Sequence, residues 1–343
     1  MGPLWQPVGV PPTDFLRPSA PHLGGGRRLG GVVARTALAG AAAGAAATSY
    51  AAWEARRYTL REVEVPILPP GARPLRVLHL SDIHLVPTQR RKIAWLRGLG
   101  ELRPDLVIDT GDNLAHPDAV PVLLDALGPL LDVPGAHVLG SNDYYAPSLR
   151  NPLRYLLPDD GRRNTRTPEL PWRELVATFS AAGWRDLTNR RTTIDVGGLR
   201  LVLAGVDDPH LEHDDLGAVA GDARAGLGAD ADLALGVAHA PYLRVLDQFA
   251  RDGYDAVLAG HTHGGQVCLP GIGALTTNCD LEPARAKGLH RHPADSAPGD
   301  PGSTWMHVSA GLGTAPSMRI RTFCRPEATL LTLVPRPGGP AAD

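Results

Sequence analysis

The sequence predicts an α/β fold built on mixed β-sheets, and three observations predict it. From residue 75 to 140 short apolar runs rich in branched residues alternate with amphipathic segments, in the order strand–helix–strand–helix–strand. That order calls for parallel strands joined by crossover helices. The second half is richer in strand-like runs and carries a hairpin signal, Gly197-Gly198, between "RTTIDV" and "LRLVLAGV". Hydrophobic residues make up 43% and charged residues 20% of the chain, which is enough apolar surface for a real core.

Taken in order, residues 1–30 are rich in Pro and Gly, include Arg27 and Arg28, and are expected to be disordered. A charge-free stretch follows from Thr36 to Trp53, with Arg35 before it and Glu54, Arg56 and Arg57 after it. Its length suits a transmembrane helix, and Tyr50 and Trp53 suit an interfacial belt. Three readings fit residues 31–60: a membrane anchor, the apolar part of a signal segment, or an Ala-rich helix of low hydropathy. The first two make the protein membrane-associated or exported, with its main domain extracytoplasmic; a cytoplasmic placement is the alternative. Residues 61–72 read as a Pro-rich linker and 335–343 as a flexible tail, leaving one domain over 73–334.

Within that domain 75–80 ("LRVLHL") is a buried strand, 89–103 a helix carrying Ile93, Leu96, Leu99 and Leu102, and 105–110 a second strand. Residues 118–131 form the next helix and 136–140 the third strand. After the hairpin at 191–206 come a strand (231–239), a helix (242–253) and a strand (254–260). Strands at 304–311, 318–323 and 328–334 complete the pattern, and 146–170 and 286–303 are long polar loops.

A net charge of −2 without a long basic stripe argues against nucleic acid as a partner. Cys268, Cys279 and Cys324 match no zinc spacing; free thiols are the favoured reading, with Cys268–Cys279 the one bridge left open. Nothing in the pattern sets an oligomeric state.

The chemistry sits at the strand ends, where ligands gather in α/β sheets. The first strand runs into "SDIH", putting Asp82 and His84 on one side of an extended backbone. The second runs into Gly111-Asp112 and the third into Gly140-Ser141-Asn142-Asp143. A later strand ends at His239, and the last ends in "GHTHGGQ", which holds His261, His263, Gly265 and Gln266. Each feature alone is more often a turn than a ligand, but five successive strand ends are not a coincidence of turns. Carboxylates, an amide and imidazoles in this number exceed one tetrahedral zinc and suit two divalent cations bridged by a carboxylate; Mn, Fe, Co or Zn all fit.

The ordered set Asp82-x-His84, Gly111-Asp112, Gly140-x-x-Asp143, His239 and Gly260-His261-x-His263 resembles the calcineurin-like metallophosphoesterase superfamily over essentially all of 73–334. "GVDDPHL", "GHTHGGQV" and "CRPEATLLTL" resemble its bacterial membrane-associated branch. The resemblance implies a four-layer α/β/β/α sandwich with two mixed β-sheets. It implies dinuclear metal-dependent hydrolysis of phosphoester or phosphoanhydride bonds at the cell envelope, with a metal-activated hydroxide as nucleophile. One metal would be held by Asp82, His84 and His263, the second by His239 and His261, with Asp112 bridging. Asn142 is expected to add its amide oxygen, with Ser141 the alternative at the ungapped ligand position. Asp143 and His210 join Asp112 and Asn142 as catalytic candidates. Asp207 and Asp208 are expected to orient ligating imidazoles, and Gly265 and Gln266 to line the site.

One departure matters. Where the family has Gly-Asn-His, this chain has Gly140-Ser141-Asn142, so the histidine that assists the leaving group is absent. Such an acid contributes ~10²–10⁴-fold where the leaving oxygen is basic. Phosphoanhydride or aryl-like leaving groups are therefore expected to suffer least, with His116 or His210 as candidate substitutes. The expected substrate is a small phosphoester or a lipid-linked phosphodiester reached through membrane association at 36–53. Two other classes stay open: a non-catalytic binding module on the same site, and a nuclease of the same fold.

Overall fold

A computed structural model describes residues 25–148, 151, 161, 163, 165–315 and 318–337. The expectations for residues 1–24 and 338–343, and for most of the loop at 149–164, concern residues outside that set. The chain divides into two compact units, Met1–Ala47 and Thr48–Asp343. In the first, the described residues are helical from Gly25; this helix, α1 (Gly25–Glu54), ends within the second. The helix expected at 36–53 is therefore present, but among the described residues no helix is long and apolar enough to cross a membrane. Alanine and glycine dominate the stretch, and neither adds the transfer free energy that Leu, Ile or Phe would. The transmembrane expectation is corrected on that ground.

The second unit holds two six-stranded sheets. The first contains β1 (Thr59–Leu68), β2 (Leu75–Leu80), β3 (Leu106–Asp109), β4 (Gly135–His137) and β5 (Arg185–Asp186). The second contains β6 (Arg190–Val196), β7 (Leu199–Gly205), β8 (Leu233–Val237) and β9 (Ala256–Ala259). A short ribbon, β10 (Cys268–Leu269) with β11 (Gly273–Ala274), precedes β12 (Gly288–His292) and β13 (Thr304–Val308), which join the second sheet. β14 (Glu327–Pro335) returns to the first. The orders are β1-β14-β2-β3-β4-β5 and β12-β13-β9-β8-β7-β6. In the first, β2 to β5 run parallel and β14 is antiparallel to β2; in the second, β7, β8, β9 and β13 run parallel with antiparallel edges. Both sheets are mixed, as expected.

Helices cover the outer faces. α2 (Arg90–Gly98), α3 (Ala119–Leu127), the one-turn α4 (Ser141–Tyr144) and α5 (Trp172–Ala181) belong to the first half, and the one-turn α6 (Leu216–Val219) and α7 (Leu243–Arg251) to the second. Period-two alternation along the strands divides the core into three layers. Leu78, Leu80 and Val107 pack with Leu96, Leu123 and Phe179 of the helices. On the opposite face Val77, Ile108 and Leu331 meet Leu203, Leu235 and Leu258 of the second sheet. Val202, Ala234 and Val257 then pack against Val245, Leu246 and Phe249 of α7. The order is helix, sheet, sheet, helix, and strands buried on both faces read as continuous apolar runs.

Gly197 and Gly198 take φ of 62° and 82°, the positive values a two-residue hairpin turn needs. Three expectations fail. Residues read as a linker include most of β1, whose Val63, Val65 and Ile67 alternate along an edge strand paired with β14. Pro66 is tolerated there because an edge has a free side. The run 318–323 is a loop rather than a strand, and the polar loop 286–303 contains β12.

Candidate metal centre

Parallel strands β2, β3 and β4 of one sheet and β8 and β9 of the other bring their carboxyl ends to one edge of the sandwich. The residues beyond those ends are not extended, as the Asp82-x-His84 spacing suggested. Asp82, His84, Asp112, His261 and His263 all have positive φ, from 44° to 67°. Left-handed backbone costs on the order of 1–2 kcal/mol at a residue with a Cβ. Five such residues at one place therefore mark a strained site.

The side chains converge. His84 Nε2 lies 3.3 Å from His263 Nε2 and 3.4 Å from Asp112 Oδ2. His239 Nε2 lies 3.5 Å from Asp112 Oδ1, and His263 Nε2 lies 3.7 Å from Asp82 Oδ1. Two ligand groups result, Asp82–His84–His263 and Asp82–Asp112–His239, all buried. Asp82 Oδ1 and His239 Nε2 are buried atoms with no hydrogen-bond partner. Leaving such atoms unpaired costs about 1–3 kcal/mol each. Imidazole and carboxylate donors facing one another in this state fit divalent cations.

Backbone groups set the orientations. His239 Nδ1 donates to Thr110 O at 2.7 Å, which leaves Nε2 for a ligand. His261 Nε2 is 3.1 Å from Asn278 O, and this ring belongs to neither close ligand group. Asp82 Oδ2 accepts from Ser81 Oγ at 2.5 Å and from His261 N at 3.0 Å. Gly140 is required by close approach: a Cβ there would stand 2.3 Å from Asp112 Oδ1 and 2.7 Å from His239 Cε1.

Electrostatics follow from burial. It drives the His84 pKa down to about 4 and the Asp82 pKa up to about 6. For His239 and Asp112 burial opposes the charged forms, yet each holds the other: His239 is raised well above its ordinary value and Asp112 falls well below.

Several expected roles change. Asn142 approaches through its donors: its backbone N–H and amide N each lie 2.7 Å from an Asp112 oxygen, and Ser141 Oγ sits 3.4 Å from the same amide. The amide oxygen expected as a ligand is thus turned away, because Asp112 offers the acceptors. Asp143 is fully buried and accepts four backbone N–H groups, from Asp112, Asn113, Leu114 and Gly140, at 2.8–3.3 Å. It is a positioning residue with no access to substrate. Asp207 accepts from Tyr144 Oη, and Asp208 accepts from His210 N; the imidazoles of His239 and His261 are held by main-chain carbonyls instead. Gln266 is fully buried on Met318 O and Ala315 N, and Gly265 packs on Ala274, so both shape the loop rather than line the site.

Of the two substitute acids, the His210 ring lies 4.5 Å from that of His261, tilted by 44°, with Nδ1 3.2 Å from Tyr242 Oη, while His116 Nδ1 accepts from Asp118 N. None of the three cysteines is in a disulfide; Cys268 shares the Gly264 carbonyl with Cys324.

Sequence reasoning misses Arg321. It is fully buried and donates to Ala310 O, Gly311 O, Gly313 O and His263 O at 2.6–3.1 Å, tying two site loops together with no carboxylate partner among the described residues. Its signal was hidden in an alternating "RIRTF" that reads as strand.

Comparison with known proteins agrees with this geometry. The family profile described as "Calcineurin-like phosphoesterase" matches residues 75–265. The chain is similar to phosphodiesterase YaeI of Escherichia coli, 25% identical over 271 residues, covering 77% of this chain and 84% of that one. A Bos taurus transmembrane protein with metallophosphoesterase domain is 28% identical over 231 residues, covering 63% of this chain and 47% of its own length, so the match spans about half of that relative. The metallophosphoesterase YkuE of Bacillus subtilis is 24% identical, covering 80% and 84%.

Proposed function

Because the chain belongs to the calcineurin-like phosphoesterase family and is a phosphoester hydrolase, we propose that it is a phosphodiesterase working with two divalent cations. Asp82, His84 and His263 would hold one cation and His239 and His261 the other, with the Asp112 carboxylate lying between the two sets. Bound cations supply a water of lowered pKa and neutralise charge that builds on the phosphoryl group. The chain's own residues do the rest. Thr110 O fixes the His239 tautomer, and the two Asn142 donors fix the plane of the Asp112 carboxylate. His210, half-buried beside His261, gives a proton to the leaving oxygen in place of the missing histidine.

The observation that carries this reading is the Asp112 carboxylate, with one oxygen 3.4 Å from His84 Nε2 and the other 3.5 Å from His239 Nε2. The test is hydrolysis of bis(p-nitrophenyl) phosphate by metal-stripped full-length protein titrated with Mn²⁺, beside Asp112→Asn. Mn²⁺-dependent turnover absent from the variant supports it; a folded chain idle with every divalent cation sinks it and favours a binding module.

Action at the cell envelope is part of the same proposal. Its support is the bovine relative named as a transmembrane protein. Release of full-length protein from membranes by high salt alone would count against it.

A further inference from the structure

Cys268 and Cys324, two of the three cysteines in the chain, meet against the loop that carries His263. A parallel bridge between Val267 and Thr322 aligns their two segments. Cys268 N donates to Thr322 O at 2.9 Å, and Thr322 Oγ1 donates to Cys268 O at 3.1 Å. The backbone therefore sets the two cysteines close together. They pack with Ala310 in one small cluster, and their thiols hydrogen-bond to one another. Both sulfurs reach the same carbonyl, Gly264 O, at 3.3 Å from Cys268 and 3.4 Å from Cys324.

Three features separate this pair from thiols that merely fill a core. The first is what they hold. Cys324 Sγ also donates to His263 O at 3.4 Å, so the two S–H groups support the backbone of a candidate ligand and of the residue after it. The second is packing. Gly264 takes φ of 62°, and a Cβ there would stand 2.8 Å from Cys324 Sγ and 2.8 Å from Ala310 Cβ. Sulfur and loop backbone have no slack between them. The third is charge. Lys287 Nζ lies 3.6 Å and Arg321 Nη1 3.7 Å from Cys324 Sγ. Electropositive surroundings are where reactive cysteines are found, whereas inert ones lie in apolar pockets. The same two cations would repel a metal ion, which sets aside a two-thiolate metal site.

We propose that Cys268 and Cys324 form an oxidation site, closing to a reversible disulfide with a hydroperoxide as oxidant, and that this bond loosens the His263 loop. One thiol attacks the O–O bond, becomes a sulfenic acid and releases an alcohol, or water from hydrogen peroxide. The second thiol then displaces the sulfenic hydroxyl as water. Two S–H bonds are lost and one S–S bond forms; the peroxide oxygens take both electrons and both protons. A disulfide holds its sulfurs about 2.05 Å apart and has no hydrogen to donate. Gly264 O thus loses both thiol donors and His263 O loses one. Cys268 is 4% exposed and opens a ribbon of two-residue strands, which a molecule little larger than water can enter. The disulfide itself does not rest on the hydrolase reading; its effect on metal affinity rests on the metal centre.

In the test, metal-stripped full-length protein is treated with hydrogen peroxide, its remaining thiols are alkylated in denaturant, and the digest is read by mass spectrometry. The expected product is a linked Cys268–Cys324 peptide, with Cys279 alkylated and the link undone by a phosphine reductant. Amide hydrogen exchange over residues 263–268 should quicken in the oxidised protein. Calorimetric Mn²⁺ affinity should fall on the order of tenfold, as when an outer contact to a ligating residue is lost, and recover on reduction. Cys279→Ser should keep these responses and Cys268→Ser lose them; the wild-type alkylation map decides the site even where a variant misfolds. Exchange needs no metal, so a wild type that never binds Mn²⁺ refutes the metal centre while the loop response is still read. Both cysteines alkylated after peroxide, a link through Cys279, or one cysteine carried to a sulfinic acid without a link overturns the site. A Cys268–Cys324 link with unchanged or slower exchange overturns its action on the His263 loop.

Discussion

Asp143→Asn separates a backbone clamp from a catalytic acid. One carboxylate oxygen accepts from Asn113 N and Leu114 N, the other from Asp112 N and Gly140 N. Asparagine keeps one acceptor oxygen and turns an NH₂ toward the other two donors. Two buried N–H groups then lack partners, at about 1–3 kcal/mol each, so the expected loss is roughly 2–6 kcal/mol. For a unit of this size about 2 °C per kcal/mol gives a drop in Tm of roughly 4–12 °C. Because two of the donors flank the Asp112 and Gly140 turns, Mn²⁺ affinity should fall together with stability. Thermal unfolding followed by circular dichroism and calorimetric Mn²⁺ titration read both quantities. A variant with wild-type Tm and metal affinity but a kcat lowered ~10²–10⁴-fold, with one limb of its pH profile gone, would refute the clamp and restore a proton-transfer role.

Gly140→Ala should abolish Mn²⁺ binding in a calorimetric titration, since its Cβ would meet Asp112 Oδ1 at 2.3 Å; unchanged affinity would show that the turn can move. His137 is buried with both ring nitrogens unpaired, and burial lowers its pKa to about 4, with Asp186 opposing. The wild type therefore loses stability as pH falls from about 6.5 toward 4, where only the unfolded state takes the proton. His137→Leu should gain on it by on the order of 3 kcal/mol across that window, and a pH-independent difference in urea unfolding would contradict the assignment. Metal binding near neutral pH must displace the proton that Asp112 holds on His239, against the pull of burial; calorimetric enthalpies that do not vary with buffer ionisation would argue otherwise. Aryl diesters should be turned over faster than alkyl diesters, and His210→Ala should widen that gap; equal loss on both would remove His210 from the leaving-group role.

How much of this was legible depends on the range of the interaction concerned. The three-layer core follows from period-two and helical patterns, and β2, β3 and α7 lie where those patterns put them. The Asp and His candidates are legible because parallel strands end at one edge, so residues distant in sequence meet. β1 is not, because its pairing with β14 joins residues 59–68 to 327–335 while its Pro signals a linker. Arg321 escapes for the same reason, since its acceptors lie 8 to 58 residues away.

The site backbone is the instructive miss. Asp and His are among the few types with a side chain that enter the left-handed region readily. At Asp82, His84, Asp112, His261 and His263 the turn signal and the ligand signal are therefore the same letters, and no local pattern separates them. The partners do. A turn-forming Asp usually satisfies its carboxylate on the backbone close by in sequence. Asp143 shows what a purely structural carboxylate looks like here, with four N–H groups on its two oxygens. Asp82 is equally buried yet leaves Oδ1 unpaired, facing His263 Nε2 at 3.7 Å. Two carboxylates in one site, one saturated by backbone and one open toward imidazole, can be told apart only by geometry, and that difference marks the first as a clamp and leaves the second as the candidate ligand.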